Sequence, residues 1–256
     1  MFEGKGKPLS EEGLLSAADE IGVGLPALWA VMIVETRGCG FLADRRPQIL
    51  FERHIFHRRT NGKFDAAPDV SNAVAGGYGA GGAFQYDRLG RAMTFDRIAA
   101  LESTSWGLGQ VMGFNATEVG FPDVEAMVNA MCESEDAQFE AMVAFIKKND
   151  LAQYLQKDDW SNFAFHYNGP NFQKNNYDTK LAKAFARYTV GPLPSLRVRA
   201  AQMYLTYLNC SPGGVDGWFG QRTQNALIRF QKQKAMPPTS DLDDITFMAL
   251  EQAAGG

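Results

Sequence analysis

The sequence predicts a mainly α-helical fold, in which an α-rich domain with at most a small β-sheet is followed by a small three-helix C-terminal domain. Three observations carry this reading. Apolar residues recur at helical spacing in several capped segments, the only partly alternating run is short, and a proline-rich seam interrupts the chain near residue 190. At 256 residues the chain sits between one and two ordinary domains. A hydrophobic fraction of 45% and a charged fraction of 21% are those of a globular protein and exclude a disordered one.

In chain order, Ser10 followed by Glu11 and Glu12 is an N-cap with an acidic first turn, and Gly22 is the matching stop. Pro26 stands where a first turn tolerates proline and opens ALWAVMIVET, which stops at Gly38. That segment is apolar on every side, so it is expected to be a buried central helix. The run RPQILFERHIF between Arg46 and Phe56 allows a strand or a short helix. Residues 74–82, VAGGYGAGG, carry five glycines and are expected to be loop. Asp123 caps a long amphipathic pattern through Met127, Met131, Phe139, Met142, Val143 and Ile146. Two further helices are expected around 151–167 and 178–188.

The seam is Thr189-Val-Gly-Pro-Leu-Pro-Ser195. Pro192 and Pro194 cannot continue a helix, so it reads as a stiff linker between domains of residues 1–188 and 196–256, crossed by few contacts. Charge shifts across it: residues 1–190 hold 19 Lys and Arg against 24 Asp and Glu, whereas residues 191–256 hold 6 against 5. In the C-terminal part, Asp216-Gly217 makes a turn, Thr223 leads a helix with Ala226, Leu227 and Phe230 on one face, and Asp241–Asp244 precede another helix.

Several function classes are excluded at this stage. The longest apolar stretch, Leu25–Val34, is ten residues and too short to span a bilayer, so no membrane insertion is expected. The stretch MFEGKGKPLSEEG has no apolar region behind its lysines and does not read as a signal peptide. Cys39, Cys132 and Cys210 are odd in number and far apart, against a disulfide framework or zinc knuckle and for synthesis in a reducing compartment. A net charge of −4 gives no reason to expect nucleic-acid binding. His54 and His57 form an H-x-x-H without an intervening glutamate, and with the distant His166 they are expected to be structural. No metal or cofactor is expected: the lone H-x-x-H is weak metal evidence, GGYGAGG is no phosphate loop, and separately the nucleophile-elbow pattern GxSxG is absent.

Glu35 is the most informative residue. It ends an otherwise apolar helix, where desolvation and the helix C-terminus both raise a carboxyl pKa, as a general acid at neutral pH requires. The open alternative is a core glutamate paired with Arg37, Arg45 or Arg46. In Ser103–Gly113, the small residues Ser105, Gly107 and Gly109 permit close backbone approach to a ligand, while Trp106 and Gln110 offer a stacking face and an amide. A tight helix contact around a buried Trp is the alternative there. In Phe163–Pro170, Asn168-Gly169-Pro170 is a turn signal, before which Tyr167 and Asn168 can present a phenol and an amide to a cleft.

Together, Glu35-Thr36, Gly107-Leu108-Gly109-Gln110 and Tyr167-Asn168 resemble, in this order, the three signatures of the goose-type lysozyme and lytic transglycosylase superfamily. More closely, residues from about 25 to 188 resemble the phage and prophage N-acetylmuramidase domain in VETRGCGFL, RPQILFERHIF, YDRLGRAM, SWGLGQVMGFNA and FHYNGPNFQKNNYDTKLAKAF. The resemblance implies a lysozyme-like fold with Glu35 as general acid and Thr36, Trp106, Gln110, Tyr167 and Asn168 binding substrate. The chain departs from the pattern at Gly109, where the superfamily usually has a larger residue that contacts the sugar. Glycosidases usually use a second carboxylate, about 5 Å away for retention or roughly 6.5–9.5 Å for inversion. Of Asp44, Glu52, Asp87 and Glu102, Glu52 is the first choice because its flanks are apolar. A buried salt bridge is its alternative role, and relatives manage with one essential glutamate.

In the C-terminal part, DG-x-FG-x-x-T…A-L-x-x-FQ resembles the three-helix peptidoglycan-binding domain, with Ser240 where a glycine usually follows the Pro-x-Thr turn. Together the resemblances imply a modular endolysin that hydrolyses the β-1,4 bond between N-acetylmuramic acid and N-acetylglucosamine. A lytic transglycosylase leaving 1,6-anhydro ends and a non-catalytic wall-binding protein are the alternatives. The expected partner is peptidoglycan and the expected state a monomer, made in the host cytoplasm and reaching the periplasmic wall after holin-mediated release.

Overall fold

The computed structural model describes residues 2–36, 38–170 and 172–255 and is mainly helical, as expected. Helix α1 (Glu11–Ile21) starts where the Ser10 hydroxyl accepts the Gly13 N–H and ends at Gly22, whose left-handed backbone (φ 61°) returns its N–H to the last turn. Helix α2 (Leu25–Thr36) is buried from Ala27 to Met32, and α10 (Tyr177–Val190) lies along it. Each large side chain it buries, such as Leu28 or Met32, contributes roughly 1.5–3 kcal/mol. No single described helix is long and apolar enough to cross a membrane.

The ambiguous run 46–56 resolves into both alternatives: strand β1 (Ile49–Phe51), then helix α3 (Arg53–Arg59) with Glu52 at its N-cap position. The glycine-rich stretch is loop and leads to α4 (Phe84–Met93), followed by α5 (Arg97–Glu102). Strands β2 (Thr104–Trp106) and β3 (Val111–Met112) complete one antiparallel sheet of order β1-β2-β3, with Ile49 opposite Trp106 and Trp106 opposite Val111.

The pattern that Asp123 caps is two helices, α6 (Val124–Glu133) and α7 (Glu135–Lys148). They part at Ser134, which is extended (φ −154°, ψ 158°), bridges to Lys7 and caps α7 through its hydroxyl. The segment expected around 151–167 is likewise two helices, α8 (Ala152–Gln156) and α9 (Trp160–Asn168). They are separated by Asp158 in a left-handed conformation, and Asp159 caps α9. The described cysteines are all free thiols.

Beyond α10, Ser195 caps α11 (Leu196–Tyr207), which packs with α12 (Gln221–Gln233) and α13 (Asp244–Ala253) around Leu205, Leu227, Phe230 and Leu250. Thr223 lies inside α12 rather than leading it: its hydroxyl accepts from Gln202, whose amide also ties down Asp216, Gly217 and Trp218.

The expectation of a sparsely crossed seam is overturned. Arg199 of α11 and Glu135 of α7 form a fully buried two-pronged ion pair. Arg199 also donates to the Gly38 carbonyl (2.7 Å), and Glu135 accepts the N–H groups of Leu9 and Gly40. Tyr207 donates to the Gly6 carbonyl (2.9 Å), and Met203 and Val215 pack on Phe41. Proline chemistry sets the local path of the linker but says nothing about what the flanking surfaces bury. A buried pair of opposite charges needs its geometry held on both sides, so the two parts are fixed against each other.

Candidate active site

Glu35 reaches the end of α2 at the wall of a cleft of about 650 Å³. Its Oε1 accepts a 3.0 Å hydrogen bond from the side-chain amide of Asn168, the last residue of α9, after which Gly169 (φ 83°) turns the chain away. Burial pushes the Glu35 carboxyl up to about 7, and the Asn168 hydrogen bond pulls in the opposite direction. Two of the arginines weighed as ion-pair partners, Arg45 and Arg46, are engaged elsewhere. Arg46 binds Asp44 and lies over the Tyr86 ring at 4.1 Å, and Arg45 lies over Tyr207 and donates to the Ala254 carbonyl. Arg37 lies outside the described residues.

The other predicted residues divide. Thr36 lines the cleft beside Glu35, its hydroxyl donating back to the Met32 carbonyl. Tyr167 stacks on Phe163 and donates to the Gly109 carbonyl at 2.6 Å, tying α9 to the turn between β2 and β3. Burial and then the nearby Glu35 charge hold its phenol far above the usual tyrosine range. Gln110 adopts a left-handed backbone (φ 49°), and its amide donates to the Gln48 and Gly107 carbonyls and accepts from Ser105. It is spent on holding the turn, a strained conformation paid for by three hydrogen bonds.

Trp106 is a correction. It is 0% exposed, its indole N–H donates to the Leu101 carbonyl, and Phe2 packs against its ring. Its sequence neighbours are small because the strand is buried on both faces, and no ring face remains for a sugar. Gly109 is explained by packing: a Cβ there would stand 2.5 Å from Met142. The backbone lies directly against α7, so the position faces the core.

Glu52 does not line the cleft that holds Glu35. Its Oε2 lies 3.1 Å from His54 Nδ1 and accepts from the Tyr78 phenol at 3.4 Å, and burial raises its pKa. Tyr177, whose phenol is pushed up to about 12 mainly by burial, also feels the Glu35 charge. Of the other carboxylates considered, Asp44 binds Arg46 and Glu102 binds Arg59. His57 pairs with Asp65 at 2.8 Å and His166 stacks on Tyr154. No group of three His, Cys, Asp or Glu able to hold a metal occurs among the described residues.

Sequence reasoning missed the rest of the cleft. Cys39, Phe41 and Gln48 line one side, Gly81 and Gly82 belong to the glycine loop, and Thr206 with residues 211–215 comes from beyond the seam. Only the glycine pairs carried a signal, and that signal was loop. The arrangement, a carboxyl raised to about 7 and held by Asn168 at the wall of an open cleft, suits proton donation to a bound substrate.

The N-acetylmuramidase family matches residues 24–189, and a peptidoglycan binding domain family matches residues 195–250. Among solved structures, the chain is similar to the endolysin of Burkholderia phage AP3, with 44% identity over 72% of this chain and 71% of that one and a TM-score of 0.65. No curated protein matches. The chain therefore belongs to the N-acetylmuramidase family, with a peptidoglycan-binding domain following its muramidase domain.

Proposed function

We propose that this protein is a phage endolysin that hydrolyses the β-1,4 bond between N-acetylmuramic acid and N-acetylglucosamine, with Glu35 as general acid. The observation that carries the reading is the Glu35 carboxyl, lifted to about 7 by burial and oriented by Asn168 at the cleft wall. With Oε1 engaged by Asn168, Oε2 is the oxygen available to hold the transferable proton. Protonation of the bridging oxygen lets the C1–O bond break toward an oxocarbenium-like state. N-acetylglucosamine then leaves with a free 4-hydroxyl, and water adds at C1 of the muramic residue. Thr36 lines the groove beside the acid, Asn168 holds the Glu35 carboxyl, Tyr167 ties α9 to the Gly109 carbonyl, and Gln110 holds the turn. Glu52, bonded to Tyr78 outside this cleft, is given no direct part in the reaction.

One observation favours a second reading. Glu35 is the only carboxylate among the described residues lining the cleft. That suits attack by the substrate's own muramic 6-hydroxyl, which yields a 1,6-anhydro end and leaves no water to activate. Mass spectrometry of muropeptides released from purified walls separates the two: reducing ends support hydrolysis, and anhydro ends replace it with transglycosylation. Release of neither defeats both. Synthesis in a host cytoplasm and access to the wall after holin-mediated release are part of this proposal.

A further inference from the structure

The peptidoglycan-binding domain reaches the cleft that holds Glu35. Thr206, at the end of α11, and residues 211–215 line the same cleft as Glu35, Thr36 and Gln48. We propose that the loop Ser211–Val215 is part of the glycan-binding groove, so that this domain contacts the very strand being cut and does not merely hold the enzyme to the wall. The inference rests on the muramidase reading above and extends it to a specific wall of the site.

Three independent features fix the loop in place. First, Val215 packs on Phe41 and Met203, and its carbonyl approaches Gly38 so closely that a Cβ on that glycine would stand 2.6 Å away. Gly38 also has a positive φ (87°), so the end of the Glu35 helix is shaped to receive this loop. Second, Arg199 ties α11 to the Gly38 carbonyl and to the buried Glu135. Third, Arg229 donates to the carbonyls of Cys210 and Ser211 (2.6 and 2.9 Å), holding the loop from its own domain.

What the loop shows to the cleft is mostly bare backbone. A Cβ at Gly214 would meet no atom within 4 Å, and the same holds at Gly81 and Gly82, which also line the cleft. Glycine backbone on two loops offers N–H and C=O groups, joined by the Ser211 hydroxyl; the Thr206 hydroxyl donates to the Gln202 carbonyl and keeps only its acceptor capacity. Those are the partners that the acetamido and hydroxyl groups of a saccharide need. The absence of a charged side chain on this loop favours the glycan strand over an ionic stem peptide.

The test is binding of a soluble, peptide-free glycan tetramer to the full chain carrying Glu35→Gln, measured by calorimetry with and without Gly214→Trp. The Trp fills open space, so an unchanged melting temperature is expected together with at least a tenfold weaker Kd. An unchanged Kd overturns the inference. A second measurement leaves the loop native: hydrogen exchange at residues 213–215 of the Glu35→Gln chain is expected to slow when the glycan is added. Protection near Glu35 with none at 213–215 also overturns it. These outcomes are separate from the muramidase reading, which fails instead if the wild-type chain releases neither reducing nor anhydro ends from walls.

Discussion

The Asn168 amide donates to Glu35 Oε1 at 3.0 Å, joining the ends of two helices that are 133 residues apart in the chain. The bond orients the carboxyl, and it favours the ionised form that burial disfavours. Burial wins, because losing hydration around a whole carboxylate outweighs one neutral hydrogen bond.

Glu35→Gln keeps the size and an acceptor for Asn168 but removes the proton donor. Wall lysis is expected to fall by orders of magnitude with the fold intact, and wild-type activity to decline as pH rises through about 7. Near-normal clearing of a cell-wall suspension by the folded variant refutes the assignment. Stability moves the same way with pH. In the wild type, the unfolded chain releases this proton from about pH 4.5 upward and the fold does so only near 7, so stability is lost across that window. The Gln variant has no such loss, so its stability relative to the wild type is expected to be greater at pH 8 than at pH 4, by up to about 3 kcal/mol in thermal denaturation at the two pH values.

Asn168→Ala removes the bond that lowers the Glu35 pKa. The alkaline limb of the pH–rate profile is expected to move to higher pH, with a smaller fall in rate than for Glu35→Gln, because orientation is lost and the proton is kept. A limb that stays in place shows that the amide does not tune the acid.

Glu52→Gln is expected to cost far less activity than Glu35→Gln, since Glu52 meets Tyr78 and His54 outside the cleft. Equal loss in a folded variant makes Glu52 the second catalytic carboxylate.

Trp106→Phe is expected to lower the melting temperature and leave KM unchanged, because the indole is enclosed and bonded to Leu101. A raised KM at unchanged stability restores a sugar-stacking role.

Arg199→Ala leaves Glu135 buried without its partner, which costs roughly 3–5 kcal/mol. Pairing it with Glu135→Gln is expected to recover part of that loss in thermal denaturation. By the same argument, residues 1–190 alone are expected to be less stable than when joined to the C-terminal domain. Equal melting temperatures for the two forms remove the buried pair from this role.

The sequence by itself determined the features that depend on near neighbours. The caps at Ser10 and Asp123, the stop at Gly22 and the buried character of α2 follow from local hydrogen bonding and apolar spacing. Glu35 stood out for the same reason, a lone carboxylate at the end of an apolar helix. The tertiary structure alone decided which groups meet. Nothing in Ser134-Glu135 marks a helix break aimed at Arg199, because an acidic residue after a cap reads as an ordinary first turn. Trp106 and Gln110 sit in one short segment, yet a strand buried on both faces removed the first from solvent and a strained turn consumed the amide of the second. Residues 211–215 reached Glu35 only because a buried ion pair fixed one domain on the other. Burial and long-range pairing are properties of the packed chain, and local sequence carries no term for them.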